Sequence, residues 1–222
     1  MEKITLDLKK LELMKIGCSS DENRYVLNGI YIKDFMQNGK NYREYISTNG
    51  RIGLYLREKI EKIQIDFKND FIVYFDKLNI PKQFKKFSTC DIDFEIAKNK
   101  LINSDFNIIL DINDDDKYPE FKKVIIPEKL KKDETQFIIN EKYLIIAKKF
   151  FKTEFLNYFY SNGKNKPKFL FDINDIDDTI KIFVAMEQTA NFKYDIEKIN
   201  KTLHNIKQLE TDETKQKIEK SK

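Results

Sequence analysis

Two Asn-Gly dipeptides constrain this chain more than any other feature. Asn38-Gly39 follows the largely apolar segment 26–35, and Asn49-Gly50 lies between the alternating segments 42–48 and 51–57. Asn-Gly favours a tight β-hairpin turn, because both residues tolerate the positive φ that such a turn requires. The sequence therefore predicts three consecutive strands joined by short turns in this part of the chain.

The rest of the chain alternates between strand and helix patterns. Apolar residues fall on one helical face over residues 6–16 and again over 141–151, where Asn140 is a plausible N-cap. Residues 70–78 are rich in aromatic side chains and favour a short helix, although a strand also fits. Further strands are predicted at residues 62–67, 90–97, 106–112, 136–139, 155–160, 168–173 and 179–185. We therefore predict an α+β fold made of three successive strand–helix–strand units.

The last part of the chain has a different composition. Apolar residues spaced three or four apart from Ile196 to Leu209 predict a C-terminal helix. We expect this helix to pack back on the domain rather than on a partner helix. Residues 210–222 are almost wholly polar, which is typical of a disordered tail.

Composition excludes several classes of function. With 41 Lys and Arg against 37 Asp and Glu, the net charge is only +4, so any affinity for nucleic acid must come from arranged lysines. The single histidine, His204, lies in a polar stretch that does not suit a catalytic triad. One histidine and two cysteines are too few for a four-ligand zinc site. We expect no metal or cofactor, two buried free thiols, no membrane segment and a cytoplasmic location.

Two acidic clusters, residues 111–116 and 172–178, are the candidates for metal or carboxylate chemistry. The first does not fit a calcium loop, because Asp116 stands where glycine is needed and Lys122 where glutamate closes the site. The second places Ile176 at a ligand position. We interpret both as solvated loops between strands, and a carboxylate-dependent nuclease remains an alternative hypothesis.

Three phrases, in order, resemble the bacterial sliding clamp, the beta subunit of the replicative DNA polymerase. Residues 27–30, Leu-Asn-Gly-Ile, are similar to the family's Leu-x-Gly-Val strand, and 47–52 to its Thr-Asp-Gly-His-Arg-Leu turn. Residues 117–127 are similar to its Phe-Pro-Asp-Tyr-Arg-Arg-Val-x-Pro segment. Beyond these three phrases, residues 137–144 are similar to the family's Asn-x-x-Tyr-Leu helix start. The resemblance spans residues 5 to 187, and it identifies a divergent, shortened and phage-like relative.

The chain departs from the family pattern at two places that matter for partner binding. Asn49 stands where the family has aspartate, and the histidine of that turn is missing. Residues 184–187, Val-Ala-Met-Glu, replace the family's Met-Pro-Met-Arg tail. The resemblance thus implies a peptide pocket that is altered or tuned to a different peptide.

The resemblance implies a non-enzymatic processivity factor that encircles duplex DNA as a homo-oligomeric ring and tethers a DNA polymerase or other replication proteins. The implied residues of the partner-peptide pocket are Thr48, Gly50, Arg51, Ile52, Pro119, Lys123, Val124, Val184 and Met186. The implied DNA-facing lysines, which lie on the predicted helices, are Lys9, Lys10, Lys15, Lys77, Lys142, Lys148 and Lys149.

The unit count leaves the domain organisation open. A clamp domain contains two units, so three units make one and a half domains. We expect a clamp-like domain of two units over 1–130, a third unit over 131–191, and the C-terminal helix and tail over 192–222. There are two alternatives: residues 60–130 are an insertion in a single domain, or the chain has two domains and assembles as a trimer.

The unit count also favours a second functional hypothesis, a clamp-fold interaction module or regulator that binds a replication protein without encircling DNA.

Overall fold

Antiparallel strands dominate the computed structural model, which describes residues 3–64, 70–78, 80–113, 118–119, 131–133, 141–152, 159–161, 168–174 and 179–185. The chain divides into two compact units, Met1–Gln188 and Thr189–Lys222, and every described residue lies in the first. The predicted C-terminal helix and tail, and the predicted strand at 136–139, lie outside the described residues. The domain boundary near residue 130 stays a prediction.

The described residues form twelve strands and two α-helices. The helices are α1 (Leu8–Lys15) and α2 (Glu141–Phe151), and 3-10 helices cover Glu22–Asn28 and Lys82–Phe84. The strands are β1 (Lys3–Asp7), β2 (Ile30–Gln37), β3 (Lys40–Thr48), β4 (Ile52–Ile60), β5 (Phe71–Tyr74), β6 (Asp91–Ala97), β7 (Lys100–Asn103), β8 (Ile108–Asn113), β9 (Lys131–Asp133), β10 (Phe159–Ser161), β11 (Lys168–Asn174) and β12 (Thr179–Ala185).

All twelve described strands belong to one sheet with the order β1-β6-β7-β8-β5-β2-β3-β4-β12-β11-β10-β9. Three meanders, β2–β4, β6–β8 and β10–β12, are joined through β5 and through the β4–β12 pair. A helix follows β1 and another precedes β10, whereas the described residues between β5 and β6 contain only a one-turn 3-10 helix. The described part is therefore richer in strand than the predicted strand–helix–strand repeat.

Several predicted elements are confirmed and others are wrong. Helix 141–151 and strand 179–185 are confirmed residue for residue, and both Asn-Gly turns are present. Helix α1 starts two residues later than predicted, because Leu6 lies in β1 and the Asp7 side chain caps the helix by accepting from Lys9 N at 2.9 Å. The strand predicted from residue 26 starts only at Ile30, after the 3-10 helix.

The helix favoured at 70–78 is wrong, because these residues contain strand β5. Phe71, Ile72 and Val73 are all buried, and β5 lies between β2 and β8. A strand covered on both faces has a continuous apolar run that periodicity alone cannot distinguish from a helix. Strand β7 was not predicted, and the described residues 62–64 of the predicted strand 62–67 are not a strand.

Buried apolar residues form a larger cluster on one face of the sheet and a smaller cluster on the other. The larger cluster includes the buried sides of α1 and α2, among them Leu11, Met14 and Phe150. The smaller cluster, on the opposite face near β12, contains Ile46, Tyr55, Ile182 and Val184.

Both cysteines are free, as predicted, with Cys90 buried and Cys18 half-buried. None of the described helices is long and apolar enough to cross a membrane.

Helix α1 is held close to the β3–β4 hairpin. Ser47 Oγ donates to the Met14 carbonyl oxygen at 2.6 Å, and a Cβ on Gly17 would overlap Ser47 Oγ and the Leu54 side chain. Glycine at position 17 therefore allows the end of α1 to approach the hairpin closely. This contact places the following residues, 18–29, beside the β3–β4 turn.

Candidate functional site

The turn between β3 and β4 is fixed by side-chain hydrogen bonds. Thr48 Oγ1 donates to the Ile52 carbonyl oxygen at 2.6 Å and accepts from Gly50 N at 3.0 Å. Asn49 Oδ1 accepts from Arg51 N at 2.9 Å and from Ile52 N at 3.0 Å, and Gly50 has a φ of +83°. An asparagine side chain accepts these bonds as an aspartate would. The departure from the family pattern at Asn49 therefore preserves the turn.

A groove lies beside this turn. Its volume is about 250 Å³, and its lining is formed by Asn23, Arg24, Tyr25, Val26, Leu27 and Pro119. A Cβ on Gly50 would stand 3.0 Å from Arg24 Nη1, so the 3-10 helix Glu22–Asn28 reaches the turn. The groove thus places Pro119, a predicted pocket residue, beside residues 23–27. The strand predicted at 26–35 had included the last two of these residues.

Tyr118, the residue before Pro119, packs against the sheet. Its ring packs on the small cluster that contains Val184, and its centroid lies 5.4 Å from that of Tyr31. Burial raises the pKa of the Tyr118 phenol far above its ordinary value, so the group is neutral at physiological pH. Pro119, the next residue, is exposed at the groove.

The structure places the predicted pocket residues in different settings. Pro119 lines the groove, Gly50 lies in the turn beside Arg24, and Val184 belongs to the small cluster on which Tyr118 packs. Ile52 is 2% exposed and belongs to the larger cluster with its register partner Ala185, whereas Val184 belongs to the cluster on the opposite face. Ile52 and Val184 therefore do not line one pocket. Lys123, Val124 and Met186 lie outside the described residues.

Sequence reasoning missed residues 23–27 as part of the groove. The signal was present in the polar cluster Ser19-Ser20-Asp21 that precedes them. Asp21 Oδ1 accepts from Asn23 N at 3.0 Å, which is the capping contact expected at a helix start. A helical turn rather than a strand could have been predicted there.

The three predicted DNA-facing lysines of α1 all bind groups within the chain. Lys9 Nζ donates to the Phe87 carbonyl oxygen, and Lys15 Nζ donates to the Asn28 carbonyl oxygen at 3.0 Å. Lys10 forms an ion pair with Glu58. Burial alone would lower the pKa of Lys10, but the attraction of Glu58 outweighs it and the net pKa is raised. These lysines connect α1 to neighbouring elements.

The lysines of α2 have a different setting. Lys142, Lys148 and Lys149 are exposed, together with Glu141 and Ile145, while Tyr143, Ala147 and Phe150 are buried. The spacing places the exposed residues on one helical face. Lys77 is exposed after β5 and is not on a helix, which corrects its predicted position. Among the predicted lysines, Lys148 and Lys149 are exposed in the last turn of α2, where an external anion can reach them.

The acidic clusters are only partly described. Residues 111–113 end β8 and residues 172–174 end β11, so these halves are strand rather than the loops predicted. The remaining residues, 114–116 and 175–178, lie outside the described part. Within the described ranges, no group of three or more His, Cys, Asp and Glu side chains is placed to hold a metal ion.

Comparison with known proteins supports a clamp-like fold. No family model matches the sequence, and no curated protein does. Solved structures of bacterial clamps do match. They include a DnaN sliding clamp (DNA polymerase III subunit beta) from Bartonella birtlesii bound to griselimycin, with a TM-score of 0.53 and 14% identity over 85% of this chain and 66% of that one. A DNA polymerase sliding clamp from Caulobacter crescentus matches with a TM-score of 0.57 and 12% identity over 85% of this chain and 65% of that one.

The DNA polymerase III beta subunit of Thermotoga maritima matches with a TM-score of 0.50 and 13% identity, covering 86% of this chain and 66% of that one. The chain therefore spans just under two thirds of the length of the clamps that it matches. At these identities the likeness concerns the fold. No finding bears on the predicted phage-like origin.

Proposed function

We propose that this chain is a sliding-clamp-like processivity factor, which encircles duplex DNA as a ring of several copies and tethers replication enzymes in the cytoplasm. The likeness of its fold to three bacterial clamps over 85–86% of the chain is the observation that carries the proposal. Such a protein performs no bond chemistry. It keeps an enzyme at a high local concentration on DNA by making repeated encounters intramolecular.

The exposed face of α2 supports the DNA part of this proposal. Lys142, Lys148 and Lys149 lie within two helical turns of one another on that face. Lysine is a mobile, hydrated point charge that contacts phosphates without reading bases. A face of this kind suits a protein that slides along DNA rather than one that binds a specific base sequence.

Retention on circular DNA tests this proposal. A ring should remain on a nicked circular plasmid through gel filtration at a salt concentration that abolishes ordinary electrostatic binding, because it is held by topology. Cutting the same plasmid once should release the protein, and blocking both ends should restore retention. Equal retention on the circular and linear forms would contradict encirclement.

A second candidate function is an interaction module that binds a replication protein without encircling DNA, for example a regulator encoded by a mobile element. One observation favours it, which is that the lysines of α1 are engaged within the chain. Under this hypothesis the groove beside the β3–β4 turn is the functional surface, and DNA retention is not expected.

The groove can be tested with matched aromatic substitutions. Tyr25 lines the groove and is 57% exposed, whereas Phe87 is 63% exposed at a distant position in the sequence and does not line the groove. Tyr25→Ala should weaken binding of labelled peptides from the termini of a replicative polymerase by roughly 10- to 30-fold, since exposed aromatic anchors carry about 2 kcal/mol at such sites. Fluorescence anisotropy measures the change, and Phe87→Ala should leave affinity unchanged. If both variants bind as the parent chain does, the groove is not the peptide site.

A further inference from the structure

The two Asn-Gly turns have the same dipeptide at their centre but different hydrogen bonding. Asn38-Gly39 joins β2 to β3, and Asn49-Gly50 lies between β3 and β4. In an Asn-Gly dipeptide the glycine nitrogen can attack the asparagine side chain readily, because glycine has no Cβ to hinder the approach. The two turns can therefore be compared as sites of one reaction, the deamidation of asparagine.

Deamidation replaces the side-chain amide of asparagine with a carboxylate and needs no enzyme. Hydroxide removes the amide proton of the glycine, whose nitrogen then attacks the asparagine Cγ to form a cyclic succinimide, and ammonia leaves. Water opens the succinimide at either carbonyl, which gives aspartate or isoaspartate, so the net reaction consumes a water molecule and releases ammonia. The attack requires a glycine nitrogen that is not engaged elsewhere and a side chain that can turn towards it.

The turn between β3 and β4 meets neither requirement. Gly50 N donates to Thr48 Oγ1 at 3.0 Å, so the attacking nitrogen is already engaged. Asn49 Oδ1 accepts from Arg51 N at 2.9 Å and from Ile52 N at 3.0 Å, which directs the side chain past Gly50. An attack on the Asn49 side chain must first break these hydrogen bonds.

The turn between β2 and β3 meets both requirements. The register pair Gln37↔Lys40 closes the hairpin, so the two turn residues lie outside the ladder of paired strands. Within the described part of the chain, neither the Asn38 side chain nor Gly39 N has a hydrogen-bond partner. Both residues are exposed, and a Cβ on Gly39 would have no atom within 4 Å. Hydroxide therefore reaches Gly39 N, and the Asn38 side chain has room to turn towards it.

We propose that Asn38 deamidates spontaneously in the folded protein, whereas Asn49 is protected by the turn that contains it. Deamidation of Asn38 adds a negative charge to the β2–β3 turn, and its isoaspartate product adds a methylene group to the main chain. The longer main chain no longer suits the two-residue turn that the Gln37↔Lys40 pair closes. Gln37 Oε1 accepts from Arg57 Nη1 at 3.1 Å, so the change extends to β4. This inference does not depend on DNA binding or on the groove.

Peptide mapping of the full chain tests the proposal. Trypsin cleaves after lysine and arginine, so residues 34–40 and 44–51 are released as separate peptides with one asparagine each. The folded chain is incubated at mildly alkaline pH in water labelled with heavy oxygen, then digested in ordinary water, and mass spectrometry measures the labelled carboxylate in each peptide over time. Deamidation should be roughly 10- to 100-fold faster at Asn38 than at Asn49, since each hydrogen bond that must break slows the attack about five-fold. An isoaspartyl methyltransferase should methylate peptide 34–40 and leave 44–51 unmodified.

The unfolded chain is the matched control. In guanidinium chloride both sites are Asn-Gly dipeptides without the turn hydrogen bonds, so their two rates should become nearly equal. In the folded chain, Thr48→Val removes the acceptor of Gly50 N and should raise the rate at Asn49 while leaving the rate at Asn38 unchanged. An unchanged rate at Asn49 in this variant would contradict the protection that the turn is proposed to give.

Three further results would overturn the proposal. The first is a rate at Asn49 that equals or exceeds the rate at Asn38 in the folded chain. The second is the absence of deamidation at Asn38 in the folded chain while both sites react in guanidinium chloride. The third is a ratio of the two rates that is the same with and without guanidinium chloride, because the fold would then have no part in the difference.

Discussion

Replacing Arg43 with methionine is expected to lower the free energy of unfolding by about 3–5 kcal/mol, because a buried carboxylate then loses its counter-charge. Arg43 Nε donates to Asp34 Oδ1 at 2.7 Å and Nη2 donates to Oδ2 at 2.9 Å, and the two side chains are 4% and 0% exposed. Burial alone would lower the pKa of Arg43, but its hydrogen bond to Asp34 outweighs burial and the net pKa is raised. Arg43 therefore stays charged under ordinary conditions.

The same pair also connects three elements of the fold. Arg43 donates to the Thr5 carbonyl oxygen and to Gln64 Oε1, and Gln64 N donates to Asp34 Oδ2 at 2.9 Å. These bonds connect the edge strand β1 and the segment after β4 to the centre of the sheet. Loss of Arg43 should therefore loosen β1 as well as lower global stability.

Urea unfolding followed by circular dichroism measures the effect. The exposed pair Lys100–Asp111, 4.0 Å apart with side chains 55% and 70% exposed, is the matched control. Lys100→Met should cost no more than about 1 kcal/mol, since solvent screens exposed pairs. Adding Asp34→Leu to Arg43→Met should recover part of the loss because the uncompensated charge is removed. If Arg43→Met and Lys100→Met lower the free energy of unfolding equally, the buried pair contributes no more to stability than the exposed pair.

Replacing Lys148 and Lys149 together by glutamine is expected to reduce affinity for duplex DNA by roughly 10- to 100-fold at about 0.1 M salt. Each lost phosphate contact lowers the salt slope of the affinity by about one unit, so the slope should fall by about two. Both side chains lie on the exposed face of α2, opposite the buried Phe150. The substitution therefore removes charge without disturbing the core.

Binding isotherms on a short linear duplex at several salt concentrations measure both quantities. Lys85 and Lys86, two adjacent exposed lysines after the second 3-10 helix, supply a control that removes the same charge. Glutamine at positions 85 and 86 should leave the slope nearly unchanged. If the two double variants change affinity and slope alike, net charge rather than the face of α2 governs binding.

Local signals made the hairpins and helix α2 predictable. Asn38, Gly39 and Gly50 adopt positive φ values of 51°, 73° and 83°, which is the property that identified the turns. Helix α2 was predicted because its apolar residues lie on one face and its charged residues on the other. In both cases the determining interactions lie within a few residues of one another.

The candidate site was only partly predictable. The turn around Asn49 was found through its motif, and Pro119 does lie at the groove. The separation of Ile52 from Val184 could not be foreseen, because it depends on the register of β4 with β12, which are far apart in sequence. A shift of one residue in that register would have placed both side chains on the same face.

The sequence by itself determined the turns, the two helices and a resemblance that agrees with the clamp-like fold, since turn chemistry and periodicity act over short distances. Only the tertiary structure decided that 70–78 contains a strand, that the lysines of α1 bind groups of the chain, and which strands are neighbours in the sheet. Phe71 needs β2 and β8 on either side, and Lys10 needs Glu58, which is 48 residues away. The partners of these groups come from distant parts of the chain, and their choice follows from burial and register, which a local pattern does not contain.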